Sequence, residues 1–141
     1  MHNPQLTATA VALIASLSVP AAFAADLRMQ HLPGAQGLQL PSMNVEDTNA
    51  FLKDIAGNSD KKSPLTCGLF RMEKGKSLTY TYDYDEAKII LEGSMTVSDG
   101  HSTVTAKPGD VLYFPKGATI NFSSDSSGLG FICGNREFGG A

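Results

Sequence analysis

The side chains most suited to chemistry lie in one stretch, Y-T-Y-D-Y-D-E-A-K-I-I-L-E-G, which covers residues 80–93. Tyrosines at positions 80, 82 and 84 alternate with polar residues, and this period of two predicts a strand with its aromatic side chains on one face. If the alternation continued, Glu86 and Lys88 would join the tyrosine face and the polarity of both faces would be reversed. We therefore predict a turn over residues 83–85, where two aspartates favour a turn and disfavour a strand.

Glu86, Tyr82 and Lys88 are the candidate catalytic residues of this stretch. Inside an apolar barrel, a carboxyl group is either kept protonated by desolvation or held ionised by a nearby ammonium group. It can transfer a proton in the first case and anchor a ligand in the second. Phenol hydroxyls can orient a carbonyl or carboxylate group. The candidate ligand-binding residues are Tyr80, Tyr82, Glu86, Lys88, Tyr113 and Asn121.

A structural interpretation explains the same residues equally well. Glu86 and Lys88 can form an ion pair across the barrel, and alternating tyrosines often pack in a core with only their hydroxyl groups polar. Functional and structural ion pairs perturb charges alike, so the sequence leaves both interpretations open.

Two spaced motifs carry a resemblance to a known family. Glu86, six residues and then Gly93 match the second half of the first cupin motif, and the G-x5-P-x-G spacing within residues 109–117 matches the opening of the second. The chain thus resembles the cupin superfamily. Its Y-D-E, L-E-G and P-K-G runs resemble the ethanolamine-utilisation (EutQ-type) branch, and the resemblance covers roughly residues 67–138.

The resemblance implies an all-β fold, a single-domain cupin jelly-roll β-barrel, and pairing into a homodimer. Tyr80 and Tyr82 stand where metal-binding cupins carry two histidines, and Ile120 stands where they carry the third. With Glu86 these residues would make a poor divalent site, because phenols of pKa near 10 must lose their proton to bind a metal well. We therefore expect no metal and no other cofactor.

The branch is associated with ethanolamine utilisation and with acetate kinase activity. The chain contains no G-x-x-x-x-G-K-[ST] loop, the sequence that cradles nucleotide phosphates in many kinases. We therefore do not expect the kinase activity to transfer.

Composition limits the remaining classes. A chain of 141 residues that is 42% hydrophobic and 18% charged has the size and composition of one globular domain. Its net charge of −3 and the lack of a basic cluster argue against nucleic acid as a partner.

Residues 1–24 differ from the rest of the chain. Positions 6–23 carry no charge and end in the small-x-small pattern that a signal peptidase recognises, so we expect a secreted or periplasmic protein that starts at Ala25 and has no membrane contact after cleavage. Both cysteines, Cys67 and Cys133, would then meet an oxidising compartment. They can form a disulfide or remain two small buried thiols, and the sequence does not decide between these states.

The rest of the chain divides into two segments. Residues 25–64 read as an extended arm followed by one short amphipathic helix over residues 45–56, with Asn44 as its N-cap and Gly57 at its end. Residues 65–138 read as the barrel, with eight strands separated by turn signals such as Asp99-Gly100. The predicted strands are 65–72, 78–84, 86–92, 94–98, 102–106, 111–114, 119–123 and 129–133.

Three functions remain open at this point. The favoured one is a secreted cupin that binds a small polar organic ligand in its barrel. The second is a metal-independent lyase or isomerase in which Glu86 moves a proton while Tyr80, Tyr82 and Lys88 stabilise developing charge. The third is a structural or assembly role, with side chains filling the barrel.

Overall fold

Two antiparallel sheets face each other in the computed structural model, which describes residues 28–140. The predicted signal peptide, residues 1–24, lies outside the described residues. One sheet has the strand order β1-β2-β9-β4-β7 and the other the order β3-β8-β5-β6. The strands are β1 (Ala50–Gly57), β2 (Thr66–Glu73), β3 (Leu78–Thr81), β4 (Glu86–Gly93), β5 (Met95–Ser98), β6 (Thr103–Ala106), β7 (Val111–Phe114), β8 (Thr119–Ser123) and β9 (Ser127–Gly134).

All eight strands predicted within residues 65–138 are confirmed, with shifts of a few residues at their ends. The predicted turn between Tyr82 and Glu86 is also present, because β3 ends at Thr81 and β4 begins at Glu86. At the tips of two other connections, Gly100 and Gly117 have φ angles of 84° and 93°, which glycine adopts without a steric penalty. The all-β prediction is therefore correct.

The predicted helix over residues 45–56 is wrong. Asn44 and Asp47, expected to begin it, have φ angles of 56° and 61°, in the left-handed region that short polar side chains tolerate. The chain turns here and continues as β1, in which Ala50 pairs with Met72. The helical spacing of the apolar residues was outweighed by the hydrogen bonds and buried surface available at the free edge of β2. The five-stranded sheet thus begins at Ala50, before the predicted barrel.

The space between the sheets holds one aromatic and aliphatic core. Phe70 of β2 meets Phe122 of β8 edge to face, with ring centroids 5.4 Å apart, and Phe122 meets Phe114 of β7 in the same way at 5.5 Å. Met72, Ile90 and other buried residues complete the cluster. The polar residues of the candidate site project into this core.

Cys67 and Cys133 form a disulfide, which settles the choice that the sequence left open. The two residues face each other in the register of β2 and β9, with their Cα atoms 4.1 Å apart. Their side chains lie on the outer face of the five-stranded sheet, because the neighbouring Gly68 and Ile132 belong to the inner face.

The N-terminal arm crosses part of that outer face. It contains one 3₁₀ turn, Ala35–Gly37, and Gln36 donates a hydrogen bond of 2.6 Å to the Glu92 carboxylate at the end of β4. Within residues 28–140, no helix has the length and apolar character needed to cross a membrane.

Candidate functional site

Five polar side chains enter the core from one continuous segment of chain. Tyr80 lies on β3, Tyr82 and Tyr84 lie in the connection after it, and Glu86 and Lys88 begin β4. The connection is held in place at Tyr82, whose amide donates to the Ala118 carbonyl at 2.9 Å and whose carbonyl accepts from the Gly117 amide at 2.7 Å. Every second side chain therefore still points inward after the turn. The Glu86 carboxylate and the Lys88 amine lie in the interior together with the tyrosines.

Glu86 is at the centre of this cluster and is only 3% exposed. Its Oε1 accepts a hydrogen bond of 3.0 Å from the Tyr82 hydroxyl and lies 3.5 Å from Lys88 Nζ. Its Oε2 receives one long hydrogen bond, 3.5 Å from the Tyr84 hydroxyl, which in turn lies 3.5 Å from the Tyr80 hydroxyl. One carboxylate oxygen is well bonded, and the other retains capacity for a further donor.

Lys88 is 2% exposed, and aromatic rings surround its ammonium group. Nζ lies 4.0 Å from the ring centroid of Phe70, 4.5 Å from that of Phe122 and 5.5 Å from that of Phe114, distances at which ring faces attract a cation. Desolvation lowers the pKa of Lys88 to about 8, although the Glu86 carboxylate opposes the change. The neutral amine is therefore accessible close to physiological pH.

The tyrosines act as hydrogen-bond donors in this cluster. Burial, reinforced by the Glu86 carboxylate, raises the pKa of Tyr82 far above its ordinary value, and burial together with the hydrogen bond to Tyr80 raises the pKa of Tyr84. Tyr82 also stacks on Phe114, with the ring centroids 5.1 Å apart. Both phenols therefore keep their protons over the physiological range.

This donor set does not fit the metal of the metal-binding cupins. Protonated phenols are weak ligands, and the position expected for the third histidine is the buried aliphatic residue Ile120. Among residues 28–140 no three His, Cys, Asp or Glu side chains come close enough to hold a metal ion. The expectation of no cofactor remains a prediction.

A cavity of about 30 Å³ lies beside the cluster. Its lining residues are Met43, Leu52, Phe70, Leu78, Tyr80, Tyr82, Tyr84, Glu86, Phe122 and Ile132. This volume exceeds the 10–15 Å³ or so that one water molecule requires, so the cavity has room for about two waters or a very small ligand. Met43, Leu52 and Tyr80 are half-buried and form the part of the wall nearest to solvent.

The structure does not bring Tyr113 and Asn121 to this cluster. Tyr113 is 63% exposed on the edge strand β7, where it lines an open hollow of about 290 Å³ between β6 and β7. Asn121 donates hydrogen bonds to Ser77 at 3.2 Å and Thr79 at 3.0 Å near the surface. The segment 80–88 supplies the polar groups of the site without them.

Sequence reasoning missed a second buried ion pair at the edge of the site. Arg136 donates to both carboxylate oxygens of Asp54, and its guanidinium lies 5.7 Å from the Tyr84 ring centroid. Desolvation raises the pKa of Asp54, but the hydrogen bonds from Arg136 and the Gly139 amide outweigh it, so the net pKa is lowered. This pair fastens the C-terminal segment to β1 and supports one side of Tyr84.

Sequence reasoning also missed the contribution of β9, whose glycines face the interior. A Cβ atom on Gly130 would lie 3.0 Å from Lys88 Cγ, and one on Gly134 would lie 2.9 Å from the Tyr84 ring. Both distances are shorter than ordinary van der Waals contact. Glycines at even positions along β9 were a signal that the sequence could have revealed. Their lack of a side chain leaves room for the buried Lys88 and Tyr84.

Comparison with known proteins confirms the family resemblance. The model of the family described as ethanolamine utilisation protein EutQ matches residues 36–132. "Acetate kinase EutQ" of Escherichia coli is 37% identical over 76 residues, which are 54% of this chain and 32% of that protein. The chain therefore spans about a third of the length of this curated relative.

Two solved structures have the same fold. An ethanolamine utilization protein Q from Salmonella typhimurium aligns with a TM-score of 0.54 and 29% identity, over 60% of this chain and 68% of the other. A cupin superfamily protein from Desulfitobacterium hafniense aligns with a TM-score of 0.55 and 17% identity, over 75% and 90%. The second likeness establishes the cupin fold alone.

Proposed function

This chain belongs to the EutQ family of cupins, and we propose that it binds a small polar organic molecule in its barrel beside Glu86. One observation carries the proposal: a buried carboxylate with an incompletely bonded oxygen lines a cavity whose other walls are aromatic or aliphatic. Convergent polar groups in an apolar pocket are typical of ligand sites. A volume of about 30 Å³ limits the ligand to a few non-hydrogen atoms.

The second candidate is a metal-independent lyase or isomerase. It is favoured by the contact of 3.5 Å between the Glu86 carboxylate and Lys88 Nζ, together with the phenol donors on the same carboxylate. Glu86 would accept a proton from the bound molecule, and Tyr82 and the ammonium of Lys88 would stabilise the negative charge that develops. Turnover that disappears in Glu86→Gln while the ligand still binds would establish this function.

The third candidate, a structural role, is supported by the small volume of the cavity.

We do not extend the acetate kinase activity in the relatives' name to this chain. The charged group on the cavity wall is a carboxylate, which would repel the carboxylate of acetate.

An NMR titration with a panel of small polar compounds, each at up to about 100 mM, tests the binding function, because ligands of a few non-hydrogen atoms bind with dissociation constants of about millimolar at best. We expect at least one compound to shift the resonances of the cavity residues in the wild type and to bind more weakly to Glu86→Gln, which removes the charge but keeps the shape. Glu92→Gln is the matched control, because Glu92 lies on the same strand at an exposed position. Binding that is unchanged in Glu86→Gln, or equally weakened in both variants, would contradict a role of the Glu86 charge in binding. Binding of no compound would favour the structural role.

We also propose that the protein is exported to the periplasm or beyond the cell. The disulfide between Cys67 and Cys133 supports this location, since such bonds persist in oxidising compartments and are rare in the cytosol. Fractionation followed by mass spectrometry of the N-terminus is the test. Mature protein starting at Ala25 in the periplasmic or medium fraction is expected, and full-length protein in the cytosol would refute export.

A homodimer is supported by the outer face of the five-stranded sheet. Phe131, Ile89 and Val111 stand in one row across three strands, and Ile89 and Val111 are 36% and 69% exposed. An apolar row of this kind on a sheet face favours a protein contact.

Light scattering tests this assembly. We expect a dimer for the wild type and a monomer for Val111→Glu. Val104→Glu is the control, because Val104 is 47% exposed but lies on the other sheet. A wild-type monomer at micromolar concentration would refute the homodimer.

A further inference from the structure

The charge of the cavity wall limits the class of ligand. Among the described residues, Glu86 is the one charged side chain that lines the cavity. The nearby guanidinium of Arg136 is paired with Asp54, and Lys88 is not among the lining residues. On the cavity wall, an anionic ligand would meet the Glu86 carboxylate and no lining cation, whereas a cationic ligand would meet the opposite charge.

The aromatic walls favour the same charge. Phe70 and Phe122, whose rings hold the ammonium of Lys88 at 4.0 and 4.5 Å, also line the cavity. The rings of Tyr80, Tyr82 and Tyr84 line it as well. Aromatic faces together with a carboxylate are the groups that proteins use to hold organic ammonium ions. Lys88 shows that an amine fits among these rings, although desolvation makes its charged form less stable there than in water.

Building on the binding function proposed above, we infer that the ligand is a small organic ammonium ion that pairs with Glu86. The Oε2 atom of Glu86, whose one hydrogen-bond partner within residues 28–140 is the Tyr84 hydroxyl at 3.5 Å, accepts the N–H group of the ligand. The rest of the ligand contacts the aromatic walls.

Binding of a cationic ligand changes the protonation of Lys88. Two ammonium groups on one buried carboxylate repel each other, so the ligand binds best when Lys88 is neutral. Because the pKa of Lys88 is about 8, Lys88 can lose its proton near neutral pH when the ligand binds. The elements packed around Lys88 contribute the uncharged rings of Phe70, Phe114 and Phe122 and the backbone of Gly130. The titratable and charged groups facing the cluster are Glu86, Tyr80, Tyr82, Tyr84 and the Arg136–Asp54 pair.

The neutral fraction of an amine with pKa about 8 rises about tenfold between pH 7 and pH 9, and simple alkylammonium ions keep most of their charge over this range. Affinity for an ammonium ligand should therefore rise about tenfold between these pH values. Each bound ligand should release a proton at pH 7.

The test is an NMR titration of the folded protein with three probes of similar size, ethylammonium, ethanol and acetate, at pH 7 and pH 9. Such small ligands bind at best with dissociation constants on the order of millimolar, so the titrations extend to about 100 mM. We expect ethylammonium alone to shift the resonances of the cavity residues, with about tenfold higher affinity at pH 9. Preferential binding of ethanol or acetate would overturn the ammonium inference and leave the binding function intact. Binding of none of the three would count against both.

A lysine variant separates the proton exchange from other effects of pH. Lys88→Met should bind ethylammonium at pH 7 about tenfold more tightly than the wild type, and its affinity should not change up to pH 9. Lys53→Met, an exposed lysine on β1, is the control and should behave as the wild type. If Lys88→Met does not fold, the wild-type pH series still decides, because an affinity for ethylammonium that is equal at both pH values would refute the coupling.

Discussion

Raising the pH from 8 to 10 is expected to stabilise this protein, although most proteins lose stability in alkaline solution. The pKa of Lys88 is lowered from 10.5 to about 8 in the folded state. Between these values the unfolded chain binds more protons than the folded protein, so the free energy of unfolding rises with pH. At about 1.4 kcal/mol per pKa unit, burial of the charged amine costs about 3 kcal/mol at neutral pH. About 2 kcal/mol of this is recovered between pH 8 and pH 10.

Two tyrosines limit the pH range over which the free energy of unfolding rises. The pKa values of Tyr82 and Tyr84 are raised by burial, so above about pH 10 these phenols ionise in the unfolded chain while they stay protonated in the folded protein. The folded state then holds more protons, and stability falls. The profile should have a maximum near pH 10.

Urea unfolding at half-unit steps from pH 7 to pH 11 measures this profile. Far-ultraviolet circular dichroism is the appropriate signal because the chain has no tryptophan. Lys88→Met should abolish the rise between pH 8 and pH 10, whereas Lys53→Met should retain it. A wild-type free energy of unfolding that is flat or falls from pH 8 to pH 10 would show that the amine is not buried as a cation.

Three further changes test the supports of the site. Gly130→Ala should destabilise the protein by about 1–3 kcal/mol through contact with the lysine stem, whereas Gly37→Ala, with open space around it, should have little effect in urea unfolding. Replacing Cys67 and Cys133 by serine opens a loop with a sequence separation of 66 and should cost about 4 kcal/mol by the same measurement. Arg136→Met leaves a buried carboxylate without its cation and should lower the free energy of unfolding by about 3–5 kcal/mol. Losses below about 0.5 kcal/mol for any of the three would contradict the contacts described.

Local patterns predicted the strands, because some, such as residues 78–84, have a clear period of two and others, such as the apolar run at residues 111–114, are short and bounded by turn signals. The tyrosine alternation at residues 78–84 and the Asp99-Gly100 turn depend on neighbouring residues, so a single sequence contains the information. The period of two also puts Glu86 and Lys88 on one face of their strand. The turn was predicted because continued alternation would have placed them on the tyrosine face, yet in the structure both are buried on that face.

The elements that were mispredicted or missed depend on distant partners. The segment 50–57 has apolar residues at helical spacing, and it becomes a strand because β2 offers a free edge. Arg136 and Asp54 are separated by 82 positions, so no local pattern connects them. Tyr113 and Asn121 lie on predicted strands, but which sheet face or edge each occupies depends on the tertiary register.

The glycine-lined inner face of β9 determines how the capacity of the barrel can change. Because Gly130 and Gly134 present only backbone to the interior, the side chains of Lys88 and Tyr84 occupy space that larger residues on β9 would otherwise fill. Shortening either of these two side chains would enlarge the space inside the barrel without changing any strand. A scaffold with this construction can change the size of molecule it admits through one or two substitutions, and the hydrogen-bonded framework of both sheets would remain as it is.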